Sequence, residues 1–211
     1  MICHKICDKC PRLYEFIQKN KQLYPDFFNG PVPNFGSPDA QFLIVGLAPG
    51  LKGANRTGRP FTGDFAGKLL YSTLIKFGWA NGEYQANPND GLQLKNAMIT
   101  NAVLCVPPEN KPTTAEIKTC NAFLQKTIES LPQLKIILCL GRISHQAVIK
   151  AFSLRQADFP FAHAAVHHLP NDLYLVDSYH CSLYNTSTKR LTPEMFDDVF
   201  KKIGTLFSNF N

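Results

Sequence analysis

No stretch of this chain approaches the roughly 18 consecutive apolar residues that a membrane-spanning helix needs, although hydrophobic residues make up 45% of it. Also missing is an apolar segment behind a basic start. Met1 to Cys10 is polar and cysteine-bearing, so it does not read as a signal peptide. The expectation is a soluble, cytoplasmic, monomeric protein with no membrane partner. There is no internal repeat, no low-complexity tract and no block of like charge that would mark a disordered tail. No G-x-G-x-x-G follows the first apolar run, which argues against a Rossmann dehydrogenase. The segment Gly63–Leu69 (GDFAGKL) superficially resembles a P-loop. It is one residue short between the glycines and carries Leu69 where Ser or Thr would hold magnesium, which argues against a triphosphatase. Without an export signal, seven cysteines do not read as a disulfide framework. Metal ligation, chemistry and core packing remain for them.

What is present is alternation. Four apolar, β-rich runs lie at 41–47 (QFLIVGL), 97–104 (AMITNAVL), 134–140 (LKIILCL) and 173–179 (LYLVDSY). Most are continuous, as strands buried on both faces are. Helical patterns fall at about 66–78, 114–131, 142–152 and 193–207. Thr113 with Glu116 forms a capping box, and Thr192 before Pro193 reads as an N-cap with proline at the first helical position. Strand and helix in turn predict an α/β fold. The form expected is a single three-layer α/β/α domain over 1–211 with a central, mainly parallel, four-stranded sheet. Residues 25–38, with four prolines and two glycines, read as a surface connection rather than a domain boundary.

Cys7-x-x-Cys10 places two thiols one turn apart. Cys105 follows the second strand, and Cys120 lies in the helix after Thr113, with VPPENKPTT between them. That loop can bring the second pair alongside the first, and four thiolates would suit a [4Fe–4S] cluster or a structural zinc. Spacing leaves a third reading open, in which Cys105 and Cys120 are ordinary buried thiols. Cys139, mid-strand, reads as core, and Cys3 as part of a frayed end.

Sites in open parallel sheets form outside the carboxyl ends of the strands. The first strand ends in Gly46-Leu47-Ala48-Pro49-Gly50 and runs into a loop that reaches Asp64; the second carries Asn101, and the fourth ends at His180. An acid, an amide and an imidazole are therefore expected on one edge. Taken singly, each has a plain alternative: Asp64 as the N-cap of the next helix, Asn101 as a turn residue and His180 as a hydrogen-bonded structural histidine. His163, His167 and His168 crowd one segment, with no carboxylate or cysteine at useful spacing. The formal charge of +6 fits a nucleic-acid partner without requiring one.

Long motifs in the right order resemble a known family: CDKCPRL (7–13), VGLAPGLKGANRTGRPFTGD (45–64), ITNAVLCVPPENKPTTAEIKTC (99–120), LGRISH (140–145) and DSYHCSLYNTSTKRLTPEMFD (177–197). Over nearly its whole length the chain is similar to the B-type iron–sulfur uracil-DNA glycosylases, the fifth family of the uracil-DNA glycosylase superfamily. The resemblance implies an enzyme that extrudes uracil, and other deaminated bases, from DNA and hydrolyses the N-glycosidic bond. It assigns a [4Fe–4S] cluster to Cys7, Cys10, Cys105 and Cys120. It matches Phe61 to an aromatic that stacks on the base, and the backbone at Gly46–Gly50 to the base-edge contacts. Asp64 would position or activate water, Asn101 would contact the base, and His180 would donate to a pyrimidine oxygen. Ser182, Leu183 and Tyr184 match a loop that wedges into the duplex, and Arg190 would meet phosphate.

Two positions depart from that pattern. Cys181 stands where proline usually follows the motif histidine, which predicts a looser loop and an oxidisable thiol. Lys189 stands where glycine usually precedes Arg190. Two other readings stay open: a non-catalytic iron–sulfur DNA-binding module, needing neither Asp64 nor His180, and a glycosylase acting mainly on deaminated purines.

Overall fold

The computed structural model describes residues 7–210, so Cys3 lies outside the described residues. Helix α1 (Pro11–Leu23) starts with proline in its first turn and buries Leu13 and Ile17, one helical turn apart. A two-residue strand β1 (Phe35–Gly36) precedes β2 (Phe42–Gly46), short helix α2 (Ala54–Thr57) and helix α3 (Phe65–Lys76). A small hairpin of β3 (Ala80–Asn81) and β4 (Gln93–Leu94) leads to β5 (Ala97–Asn101) and α4 (Thr114–Glu129). Then come β6 (Ile136–Leu140), α5 (Arg142–Ala151), β7 (Val166–Leu169), β8 (Leu173–Ser178), short helix α6 (Leu183–Ser187) and α7 (Pro193–Ser208).

The main sheet runs β1-β5-β2-β6-β8-β7. Its middle four strands are mutually parallel, and the edges β1 and β7 pair antiparallel. The four parallel strands are those expected from the apolar runs. The two edge strands were not, because one is a pair of residues within the proline-rich connection and the other (VHHL) is half polar.

Every residue of β2, β5 and β6 is buried, and alternate residues feed two cores. Phe42, Ile44, Ile99, Ile136 and Leu138 pack with Leu70 of α3 and Phe196 and Phe200 of α7. Leu43, Val45, Met98, Ile137 and Cys139 pack with Leu124 of α4 and Val148 of α5. Helices therefore cover both faces. Each fully buried Leu, Ile or Phe contributes roughly 1.5–3 kcal/mol of transfer free energy, so these two layers supply most of the driving force. Thr113 and Glu116 make both bonds of a capping box, and Thr192 accepts from the Met195 amide, as their sequence positions predict. No helix among the described residues is long and apolar enough to cross a membrane.

The chain leaves β2 for β5 on one side and then crosses to β6 on the other. That reversal opens a crevice at the carboxyl ends of the parallel strands.

Candidate active site

A cavity of about 340 Å3 fills this crevice. Leu47, Ala48, Pro49, Gly50, Phe61, Asp64, Asn101, His180, Ser182 and Leu183 all line it, so the structure brings together nearly every residue singled out in the sequence. Gly46 lies beneath it, paired in register with Asn101. A methyl group at Gly46 would overlap the Asn101 side-chain oxygen and come within 2.6 Å of the Phe61 ring. Only glycine lets those two groups close over the strand end. The amides of Ala48 and Gly50 donate to no other described residue, which leaves two backbone donors at the cavity wall.

Asp64 is the N-cap of α3, its Oδ1 accepting from the Gly67 amide at 3.0 Å. Its other oxygen lies so close to Gly53 that a methyl group there would sit 2.6 Å away. Burial raises the carboxyl above its usual value, against the lowering effect of the Gly67 and Ala66 amides. The N-cap reading and the cavity reading are thus both true of Asp64. Burial pushes His180 down to about 4, so the imidazole is neutral at physiological pH and can donate one N–H. Its ring stacks on Phe61 at a tilt of 29°, with centroids 5.9 Å apart.

Beyond His180 the chain is tied back on itself. Ser182 caps α6, the Asn185 amide group donates to the His180 carbonyl at 2.8 Å, and the Leu191 amide donates to the Asn185 carbonyl at 3.0 Å. Leu183 and Tyr184 project from this loop, 56% and 70% exposed, and Arg190 lies over the Tyr179 ring. The expectation for Cys181 is corrected here. Its side chain is completely buried against Ala66 of α3, and burial raises the thiol to about 12. Its thiol donates to the Ala66 carbonyl at 3.5 Å rather than facing solvent, and the Asn185 bonds tie the loop on its other side. Lys189 takes φ +57, the left-handed backbone that glycine adopts freely.

The histidines need a second correction, because the fold brings a carboxylate to His167 that linear spacing hid. Asp177 of β8 meets His145 Nδ1 at 2.8 Å and His167 Nε2 at 3.3 Å, while His145 Nε2 meets the Phe159 carbonyl at 2.8 Å. These are hydrogen-bond lengths, with both carboxylate oxygens and both His145 nitrogens in use. His163 instead stacks on Tyr179 and accepts from its amide.

Cys7, Cys10, Cys105 and Cys120 line one small, apolar pocket with Leu13, Leu104 and Phe123. They meet there because α1 packs on the irregular segment that follows β5: Leu13 and Ile17 cluster with Val103, Leu104 and Val106. Arg12 then pins α1 to the start of α4, reaching both oxygens of Glu116 at 2.7 Å. The Leu104 amide points at Cys120 Sγ (3.4 Å), an N–H···S contact of the kind that tunes iron–sulfur sites. Burial raises Cys120 to about 12, with Cys10 and Cys7 adding to the effect. Four cysteine sulfurs around a small, largely apolar pocket without a carboxylate or imidazole in its lining fit a thiolate-held metal group.

Sequence reasoning missed several wall residues. Ala54, Phe65, Ala66 and Asn110 also line the cavity. Phe65 follows Asp64 directly and is 45% exposed; position next to a candidate acid was the one signal available.

A mainly parallel α/β sheet with a largely apolar pocket on its carboxyl edge, carrying an acid, an amide and an imidazole, suits an enzyme site but does not by itself name an activity. The sequence profile of the Uracil DNA glycosylase superfamily matches residues 33–204. The type-5 uracil-DNA glycosylase of Thermus thermophilus is 42% identical over 205 residues, covering 95% of this chain and 93% of that protein. The type-5 enzyme of Mycobacterium leprae is 38% identical over 93% of this chain and 89% of its own. A type-4 uracil-DNA glycosylase from Archaeoglobus fulgidus is 29% identical over 95% of this chain and 87% of its own. The chain belongs to the uracil DNA glycosylase superfamily and, within it, to the type-5 family.

Proposed function

We propose that this protein removes uracil from DNA by hydrolysing the bond between the base and deoxyribose C1′, leaving an abasic site. The observation that carries this reading is the convergence of Asp64, Asn101 and His180 on one cavity walled by Phe61 and unpaired backbone amides. A base turned out of the duplex would stack on Phe61. Its edge would meet the Ala48 and Gly50 amides and the Asn101 side chain. As the C1′–N bond breaks, the electron pair leaves with the base, and neutral His180 donates a hydrogen bond to the oxygen where negative charge gathers. Asp64, as carboxylate, stabilises the electron-poor sugar and takes a proton from the water that adds to C1′. The released base anion is then protonated from solvent.

Leu183 and Tyr184 supply the wedge that fills the vacated stack, and Arg190 meets backbone phosphate. Cys7, Cys10, Cys105 and Cys120 hold a [4Fe–4S] cluster. Such a cluster would join the start of α1, the segment after β5 and α4 at these four cysteines, and no step of the chemistry is assigned to it. A cavity of about 340 Å3 lies in the size range of ordinary ligand pockets, so size alone admits deaminated purines as well as uracil.

The test is incubation with duplexes containing uracil, hypoxanthine, xanthine or ethenocytosine, followed by alkaline cleavage at abasic sites. Cleavage at uracil is expected. No product from any lesion, with DNA binding intact, would establish the non-catalytic module instead. Iron, sulfide and zinc analysis of the purified protein tests the cluster, with about four irons and no zinc per chain expected.

A further inference from the structure

Phe61 has a backbone that a bulky residue rarely adopts, at φ +52. Such strain persists only where the surroundings over-determine it, and it is concentrated at functional sites. What fixes it here lies outside the cavity. The Tyr84 hydroxyl donates to the Phe61 carbonyl at 3.2 Å and accepts from the Gly63 amide at 3.2 Å, so it bridges both ends of the turn that presents the ring. Tyr71 donates to the adjacent Pro60 carbonyl at 2.7 Å. Gly67 is the third support. A methyl group there would overlap the Phe61 carbonyl oxygen and come within 2.5 Å of the Tyr84 hydroxyl, so only glycine lets α3 close on this turn.

Tyr84 belongs to the segment joining β3 and β4, which carries no residue of the cavity wall. Asp90 anchors that segment. It pairs with both terminal nitrogens of buried Arg59, at 2.7 and 2.8 Å, and accepts from the Gln85 and Leu92 amides. Arg59 in turn lies within 5.2–6.0 Å of the Phe35, Tyr71 and Tyr84 rings and donates to Thr62. The hairpin is thereby held at Arg59, and the Tyr84 hydroxyl is its hydrogen-bonded link to Phe61 itself.

Resting on the glycosylase reading, we propose that Tyr84 is a positioning residue that acts through Phe61: its hydroxyl holds the base-stacking ring where an extruded base must lie for cleavage. Tyr84 forms no part of the cavity wall. Its contribution is geometric, and a misplaced stacking partner costs rate steeply.

Tyr84→Phe keeps the ring and deletes both hydrogen bonds. Single-turnover cleavage of a uracil duplex is expected to fall about 5- to 20-fold, with DNA affinity and thermal midpoint close to the parent's. In a Phe61→Ala background the same change is expected to have no further effect, since the ring it positions is gone. Asp90→Asn is expected to reproduce the rate loss and to be non-additive with Tyr84→Phe. Equal losses with and without the Phe61 ring would overturn the proposal, as would an unchanged rate. Amide hydrogen exchange supplies a readout independent of activity. The Gly63 N–H is expected to be protected in the parent and to exchange faster in Tyr84→Phe; equal protection in both would also overturn it. If the parent released no base from any lesion, the glycosylase reading would fall, and the exchange result would still decide whether Tyr84 fixes this turn.

Discussion

Two sets of aspartate and histidine stand near the carboxyl half of the sheet, and they differ in what their polar atoms touch. In one, Asp177, His145 and His167 are bonded to one another and to the Phe159 carbonyl, with Asp177 and His145 almost wholly buried. In the other, Asp64 is held by amides of its own helix, the His180 ring makes no hydrogen bond to any described residue, and both line an open cavity. The first set spends its hydrogen-bonding capacity inside the protein and is a fastening. The second leaves capacity unspent, which costs stability and keeps it available to a ligand. A list of titratable residues does not separate the two; their partners do.

The sharpest way to break this comparison is at the open pair. Asp64→Asn keeps a side chain able to cap α3 but removes the charge, and His180→Ala removes the donor. Each is expected to lower single-turnover cleavage about 100- to 1,000-fold with a folded protein. The pH profile tests the same assignment. Cleavage needs ionised Asp64, whose carboxyl lies above the ordinary 3.8, so the rate should climb as pH rises through a midpoint above that value and then level off. His180, with its pKa near 4, should add no step between about pH 6 and 8, well above its own midpoint. A step near neutrality that disappears in His180→Asn would show that the imidazole titrates there after all.

The closed set gives the opposite expectation. Asp177→Ala leaves two histidines without their shared acceptor and should cost roughly 3 kcal/mol of stability, read by denaturant unfolding. The fraction that remains folded should cleave at close to the parent rate. A loss of rate exceeding the loss of folded protein would mean that the fastening on β8 also sets the position of His180, three residues on.

How much of this was legible in sequence follows the same division. The four buried strands announced themselves as apolar runs, and Asp64, Asn101 and His180 were found by asking what lies at strand ends. Both questions depend on local pattern. The Asp177 cluster joins α5, β7 and β8, and the Tyr84 bridge spans a separate hairpin. Nothing in linear spacing brings those groups together. The burial of Cys181 escaped for a related reason: the residue does lie in a loop, but its contact with the Ala66 carbonyl depends on where α3 packs. The convergence of Cys105 and Cys120 with Cys7 and Cys10 depends on the packing of Leu13 and Ile17 against residues 103–106 and on the Arg12–Glu116 pair, 104 residues apart. Spacing left that ligand set open, and the family resemblance had already implied it.

Backbone strain sharpens the comparison at its smallest scale. Phe61 and Lys189 both have positive φ, +52 and +57. The first is gripped by hydrogen bonds and presents a ring to the cavity. The second closes the turn after α6 with its side chain exposed, and its position requires only the backbone shape. Lys189→Gly should therefore relieve left-handed strain, at about 1–2 kcal/mol, less the entropy that glycine adds to the unfolded chain, about 0.4–1 kcal/mol. The net expectation is a gain of roughly 0.5–1 kcal/mol and a thermal midpoint higher by about 1–4 °C, with uracil cleavage unchanged at moderate salt. If the variant were instead no more stable and cleaved more slowly with a shallower salt dependence, the ammonium would be a phosphate contact, and strain at Lys189 would belong with that at Phe61, on the working side of the molecule.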